Sequence, residues 1–91
     1  MNFQIEHQAG PGRFQTLIDG HLSVLDYQLD GGVMTINHTE VPTALEGRGI
    51  AAALTRAALA HAREAGLKVR PLCSYARVYM QRHPETATLL A

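Results

Sequence analysis

The chain has 91 residues, 46% of them hydrophobic, enough to bury a core in one small domain. Eight basic residues balance eight acidic ones, so net charge gives no footprint for nucleic acid or an anionic membrane surface. The single cysteine, Cys73, excludes an internal disulfide and fits a reducing, cytoplasmic setting. The start, "MNFQIEHQ", lacks the basic-then-apolar order of a signal peptide, and no apolar stretch is long enough to span a bilayer.

The first half reads as strands. "FQIEH" alternates apolar and polar residues at Phe3 and Ile5, and "GPG" at Gly10–Gly12 breaks it. "RFQTLI" is extended, and Asp19-Gly20 is a two-residue hairpin signal. "HLSVLDYQL" puts Leu22 and Val24 on one face, then Leu25, Tyr27 and Leu29 on the other. That phase change predicts a bulge or burial on both faces near Leu25. After Asp30-Gly31-Gly32, "VMTINHTEV" is the next strand of the meander.

The second half has a helical period. From Ile50 to Ala65, Ile50, Leu54, Ala57, Ala58, His61 and Ala65 share a face. Gly66 followed by Leu67 is a helix stop. "LKVRPL" is a short strand, with Pro71 marking an edge or an end. "SYARVYMQRH" is a second helix, stopped by Pro84, and the last residues add a helical turn. Antiparallel meander, helix, strand, helix is an α+β domain, layered two or three deep, over residues 1–91. An exposed edge strand could form a homodimer, and the sequence does not say which edge is open.

"TALEGRGIA", Thr43 to Ala51, carries the chemistry. Three readings compete. Thr43 and Glu46 have capping-box spacing, which would start the helix at Ala44 and enclose both glycines at about 1 kcal/mol each. Alternatively Gly47 and Gly49 form a plain turn at positive φ. The third reading is an anion site: helix N-terminal N–H groups and the helix dipole favour a phosphate, and Arg48 adds charge. No Walker or complete dinucleotide fingerprint is present.

"EVPTALEGRGIAAAL" also resembles the acetyl-coenzyme A motif of the GNAT acetyltransferase superfamily. In that motif a Val-x-Pro strand end precedes Arg/Gln-x-x-Gly-x-Gly/Ala at the head of a helix. Gly49 and Ala51 match its last positions, and Glu46 stands where Arg or Gln is usual. "HTEVP", "GRGIAAAL", "AREAGLKVRPLC" and "HPE", in this order, resemble a very short single-domain subfamily and favour the anion site. The resemblance implies a minimal GNAT fold that binds acetyl-CoA as cosubstrate and passes its acetyl group to an amine acceptor. The alternative is a non-catalytic module that holds acetyl-CoA or CoA. It implies a diphosphate on the backbone of Gly47, Arg48, Gly49, Ile50 and Ala51, and pantetheine along Thr39, Glu40 and Val41. It puts Tyr79 where many relatives protonate the leaving thiolate, although Tyr75 and Tyr79, four apart, could simply pack.

Cys73 is a candidate catalytic group beside the bound thioester, since it precedes a helix, which favours the nucleophilic thiolate, but a free cysteine is also a common small core residue. His38 is a candidate base for the amine or a half-buried hydrogen-bonding residue. Glu40 is a weaker base candidate. His61 is expected at the core boundary. No histidine or cysteine spacing suits a metal.

Overall fold

A computed structural model describes residues 3–91. Met1 and Asn2, where the N-terminal reading begins, lie outside the described residues. The chain forms β1 (Glu6–Gln8), β2 (Arg13–Ile18), β3 (His21–Asp30), β4 (Val33–Glu40), α1 (Ile50–Ala65), β5 (Lys68–Pro71) and α2 (Ser74–Arg82). A 3-10 turn, Thr43–Leu45, precedes α1, and a 3-10 segment, Pro84–Leu89, follows α2. The sheet order is β1-β2-β3-β4-β5, antiparallel up to β4, with β5 parallel to β4. No helix among the described residues is long and apolar enough to cross a membrane.

The turns follow their sequences. Asp19 and Gly20 both have positive φ (52° and 76°), as do Gly31 and Gly32, so both two-residue hairpins carry the twist that matches their strands. β1 is shorter than its alternation predicts. Phe3 and Ile5 still pack on the core, but ladder pairing begins only at Glu6. Before it, Gln4 offers its carbonyl to the Thr16 hydroxyl at 2.8 Å.

Both helices cover one face of the sheet. Leu25, Tyr27, Met34, Ile36 and Val69 join Ile50, Leu54, Ala58, Leu59 and Ala62 of α1 and Ala76, Tyr79 and Met80 of α2 in one buried cluster. The architecture is therefore two layers, and the other sheet face is open. α1 is rolled from the predicted face: Thr55, Leu59 and Ala62 are buried, Ala57 and His61 half-buried, and Ala65 exposed. The larger Leu59 takes the sheet side in place of alanines. Buried Thr55 satisfies its hydroxyl on the Ala51 carbonyl at 2.8 Å. Gly66, at φ 70°, donates to Ala62 and Arg63, and Leu67 N–H reaches Ala62 O at 2.8 Å, the expected helix stop. β5 is at the sheet edge and Pro71 is its last residue.

Val24 and Leu25 are both buried although they face opposite sides. The pairing shifts one residue further on. Asp26 faces His38 and Tyr27 faces Ile36, so Asn37 is an extra residue on β4, not on β3. A bulge resets the alternation beyond it. Met34 and Ile36 point at the helices; past the bulge, Thr39 faces that side, and His38 and Glu40 turn to the open face.

Candidate functional site

After Glu40 the chain passes Val41 and Pro42 into the 3-10 turn, and Glu46 is extended (φ −61°, ψ 150°). Gly47 and Gly49 follow at φ 84° and 80°, and α1 begins at Ile50. A helix from Ala44 is thereby excluded, because two left-handed residues interrupt it. A Cβ at Gly47 or Gly49 would have nothing within 4 Å. Conformation, not crowding, requires glycine there.

The first helical bond of α1 is Ala53 N–H to Gly49 O at 3.0 Å, and Gly49 supplies no side-chain cap. The amides of Ile50, Ala51 and Ala52 therefore have no acceptor among the described residues and carry the positive end of the helix dipole. Arg48 reaches back to Asp19 at the β2–β3 turn, Nη1 to Oδ2 3.2 Å, in an exposed pair. The loop and the first turn of α1 border a cleft of about 240 Å³, closed at its sides by Val41, Leu45, Glu46 and Tyr75.

Beside this loop the sheet opens. β4 and β5 pair from Val33↔Lys68 to Ile36↔Pro71 and no further, while β4 runs on to Glu40 against β3 alone. The Ile36 carbonyl takes both the Leu72 and Cys73 N–H groups, at 3.1 and 2.9 Å, as the chain turns away into α2. Beyond Ile36, one backbone edge of β4 has no strand partner among the described residues.

Cys73 stands at this parting as the residue before α2, half-buried. Its thiol donates to the Thr39 hydroxyl at 3.5 Å. Burial raises the Cys73 pKa, but the Thr39 hydroxyl and the amides of Ala76, Tyr75 and Thr39 favour its anion more strongly, and the net shift is downward.

The other predicted groups lie elsewhere. His38 and Glu40 are on the open face, Nε2 to Oε1 3.1 Å, with side chains 55% and 68% exposed. Thr39 lies between them in sequence and faces the opposite way. Tyr79 is buried and stacked on His83 at 4.0 Å, and His83 Nδ1 donates to the Tyr79 carbonyl at 2.7 Å. The structure thus brings Thr39 to Cys73 next to the glycine loop, but not His38 or Tyr79. Tyr75 borders the cleft, a position that went unread in the sequence. Its signal was available: it sits two residues after Cys73, on the first turn of the helix that opens there.

At the far end of α1 a second cluster forms. His7 stacks on Phe14 at 4.1 Å, meets His61 edge-on at 4.4 Å and lies 2.6 Å from the Tyr27 hydroxyl. Burial, then the charge of His61, lower the His7 pKa. Among the described residues no three side chains are grouped to hold a metal ion.

Comparison with known proteins agrees with this geometry. The sequence model of a family described as GCN5-related N-acetyl-transferase matches residues 13–89. Protein NATD1 of Gallus gallus is 37% identical over 84 residues, spanning 89% of this chain and 76% of that one. Protein NATD1 of Homo sapiens is 36% identical, with 89% and 74% covered. The solution structure of a GCN5-like protein from Staphylococcus aureus superposes with a TM-score of 0.78 at 27% identity, covering 99% of this chain and 89% of that one. A match over nearly the whole sheet-and-helix unit, glycine loop and parted strands included, places the chain in the GCN5-related N-acetyltransferase family.

Proposed function

We propose that this protein is an acetyl-CoA-dependent N-acetyltransferase, with the glycine loop as its diphosphate cradle. The observation that carries the reading is the unbonded first turn of α1, beside an unpaired backbone edge of β4 and the Cys73–Thr39 pair. The N–H groups of Gly47, Arg48, Gly49, Ile50 and Ala51 would receive the diphosphate, and the absent Cβ atoms let it approach the backbone. Thr39, Glu40 and Val41 offer free edge positions to the amide groups of pantetheine, as an added strand would. That line ends at Cys73 and Thr39, so the thioester would lie against the thiol.

In the reaction an amine loses a proton, attacks the thioester carbonyl, and the departing thiolate gains a proton. His38, held by Glu40 on the open face, is the base we assign to an amine arriving from that side. Tyr79, expected as the acid, is buried beneath His83; we assign it to packing. The Cys73 thiol, its pKa lowered, is the acid we assign to the departing thiolate: its proton passes to the leaving sulfur and is replaced from solvent.

One observation favours a second reading. On the open face His38 and Glu40 are both exposed, and among the described residues none forms a wall above them to enclose an acceptor. A CoA-holding module would need none. Calorimetric titration with acetyl-CoA tests the donor site, and release of free CoA thiol with a panel of amines separates enzyme from module. No binding up to millimolar acetyl-CoA would overturn both.

A further inference from the structure

His83, Pro84 and Glu85 take no part in the donor site. They close a hollow of about 290 Å³ between α1, α2 and the 3-10 segment. The hollow shares no lining residue with the cleft at the glycine loop. It begins at Arg56, about 9 Å along α1 from Ile50, and reaches Arg63, about 20 Å along it, at about 1.5 Å per residue.

Its two walls have opposite chemistry. Arg56 and Arg63, two helical turns apart, stand on one stripe of α1. On the other side the chain turns at Pro84. The N–H and the hydroxyl of Thr86 both donate to the His83 carbonyl, at 2.8 and 2.7 Å, and fix the turn that carries Glu85. His83 Nδ1 donates to the Tyr79 carbonyl at 2.7 Å, so Nε2 of the neutral ring keeps a lone pair. One wall donates and the other accepts.

The charges of the two walls do not meet. Arg63 reaches only the backbone carbonyl of Glu85, at 3.4 Å, and among the described residues Arg56 has no hydrogen-bond partner. The Glu85 carboxylate is in no ion pair among the described residues, although it lines the same hollow as both guanidiniums. Opposite charges that border one hollow without touching leave room for a ligand with two charged ends. Between them the lining is apolar, from the buried side chains of Leu59 and Leu89.

We infer that this hollow binds a free α-amino acid with an apolar side chain. Its carboxylate takes the guanidiniums of Arg56 and Arg63, whose planar forks match a carboxylate with paired N–H donors. Its ammonium takes the Glu85 carboxylate and His83 Nε2, and its side chain rests on Leu59 and Leu89. The hollow is at the small end of ligand pockets, which suits a molecule of this size. The site is independent of the donor site, and neither needs the other to be filled.

NMR titration of the isotope-labelled protein tests it with L-leucine and its two halves: L-leucinamide, which lacks the carboxylate, and isocaproate, which lacks the ammonium. L-leucine is expected to shift amide signals of α1 and the 3-10 segment saturably, and to bind at least tenfold more tightly than either half. Glu85→Gln is expected to reduce L-leucine to the affinity of isocaproate, and Arg56→Gln/Arg63→Gln to that of L-leucinamide. All three positions are exposed, and thermal melting checks that the variants fold. The comparison of the three ligands on the natural chain needs no variant. Either half binding as tightly as L-leucine would overturn the assignment, as would folded variants that bind L-leucine unchanged. Absence of a saturable shift with L-leucine, L-valine and L-phenylalanine up to tens of millimolar would overturn it outright.

Discussion

Gly49→Val separates the backbone strain of the loop from any role in binding. Gly49 sits at φ 80° with nothing within 4 Å of a new Cβ. The new Cβ has no protein atom within 4 Å in the free state, so the cost of folding comes chiefly from the left-handed conformation. For a β-branched residue that is about 1–3 kcal/mol. In a chain of this size 1 kcal/mol lowers Tm by roughly 4–8 °C, so the expected fall is measurable without unfolding the protein at 25 °C. A diphosphate on the same backbone would meet the new side chain directly, and acetyl-CoA affinity is expected to drop by about a hundredfold or more, equivalent to roughly 3 kcal/mol. Melting by circular dichroism reads the first quantity and calorimetric titration the second. Unchanged affinity in a variant that melts several degrees lower would refute the cradle. Unchanged melting would refute the left-handed geometry.

Gly12→Ala is expected to cost more than Gly49→Ala, about 3 kcal/mol by denaturant melting, because its Cβ would sit 2.4 Å from the Tyr27 carbonyl oxygen in addition to the positive φ. Glu46→Gln is expected to tighten CoA binding several-fold, since it removes a carboxylate from the cleft wall, and the gain should shrink at high salt. Thr39→Val is expected to slow alkylation of Cys73 by iodoacetamide at neutral pH, because the thiolate loses a hydrogen bond that lowers its pKa. Ser23 is fully buried with an unpartnered hydroxyl, so Ser23→Ala is expected to raise stability by about 1 kcal/mol. His7 has a folded pKa below the unfolded value of 6.5, so the unfolded chain binds its proton first. Stability should fall as pH drops through about 6.5, level off below the folded value, and lose this dependence in His7→Gln.

The turns and helix ends were legible because each depends on one or two residues. Asp19-Gly20 and Gly66-Leu67 dictate local dihedrals whatever surrounds them. The glycine loop was legible in the same way, down to the three readings that the dihedrals of Glu46, Gly47 and Gly49 reduce to two. The roll of α1 was not, because alanines weight a helical face weakly and Leu59 decides it only once a sheet is present. The bulge was expected near Leu25, where burial on both faces disturbs the pattern, whereas the extra residue is Asn37 on the partner strand. That displacement moves His38 away from Cys73, a separation that counting along β4 cannot reveal. Tyr79 follows the same logic: four-residue spacing gives it the face of Tyr75, but only the packing of His83 shows it covered.

Neighbours in the sheet are neighbours in the chain. β1 to β4 close through short connections, so each strand can join the sheet as soon as it follows its predecessor from the ribosome, at small loop-closure cost. The junction of β4 with β5 is different in kind. It is parallel, and it must wait until all of α1 has been made and laid across the sheet. The glycine loop, Thr39 and Cys73 all sit at that junction, so the site is complete only once α1 and β5 have docked on the meander. Substitutions there should leave the early folding events untouched and register in the final docking of α1, β5 and α2.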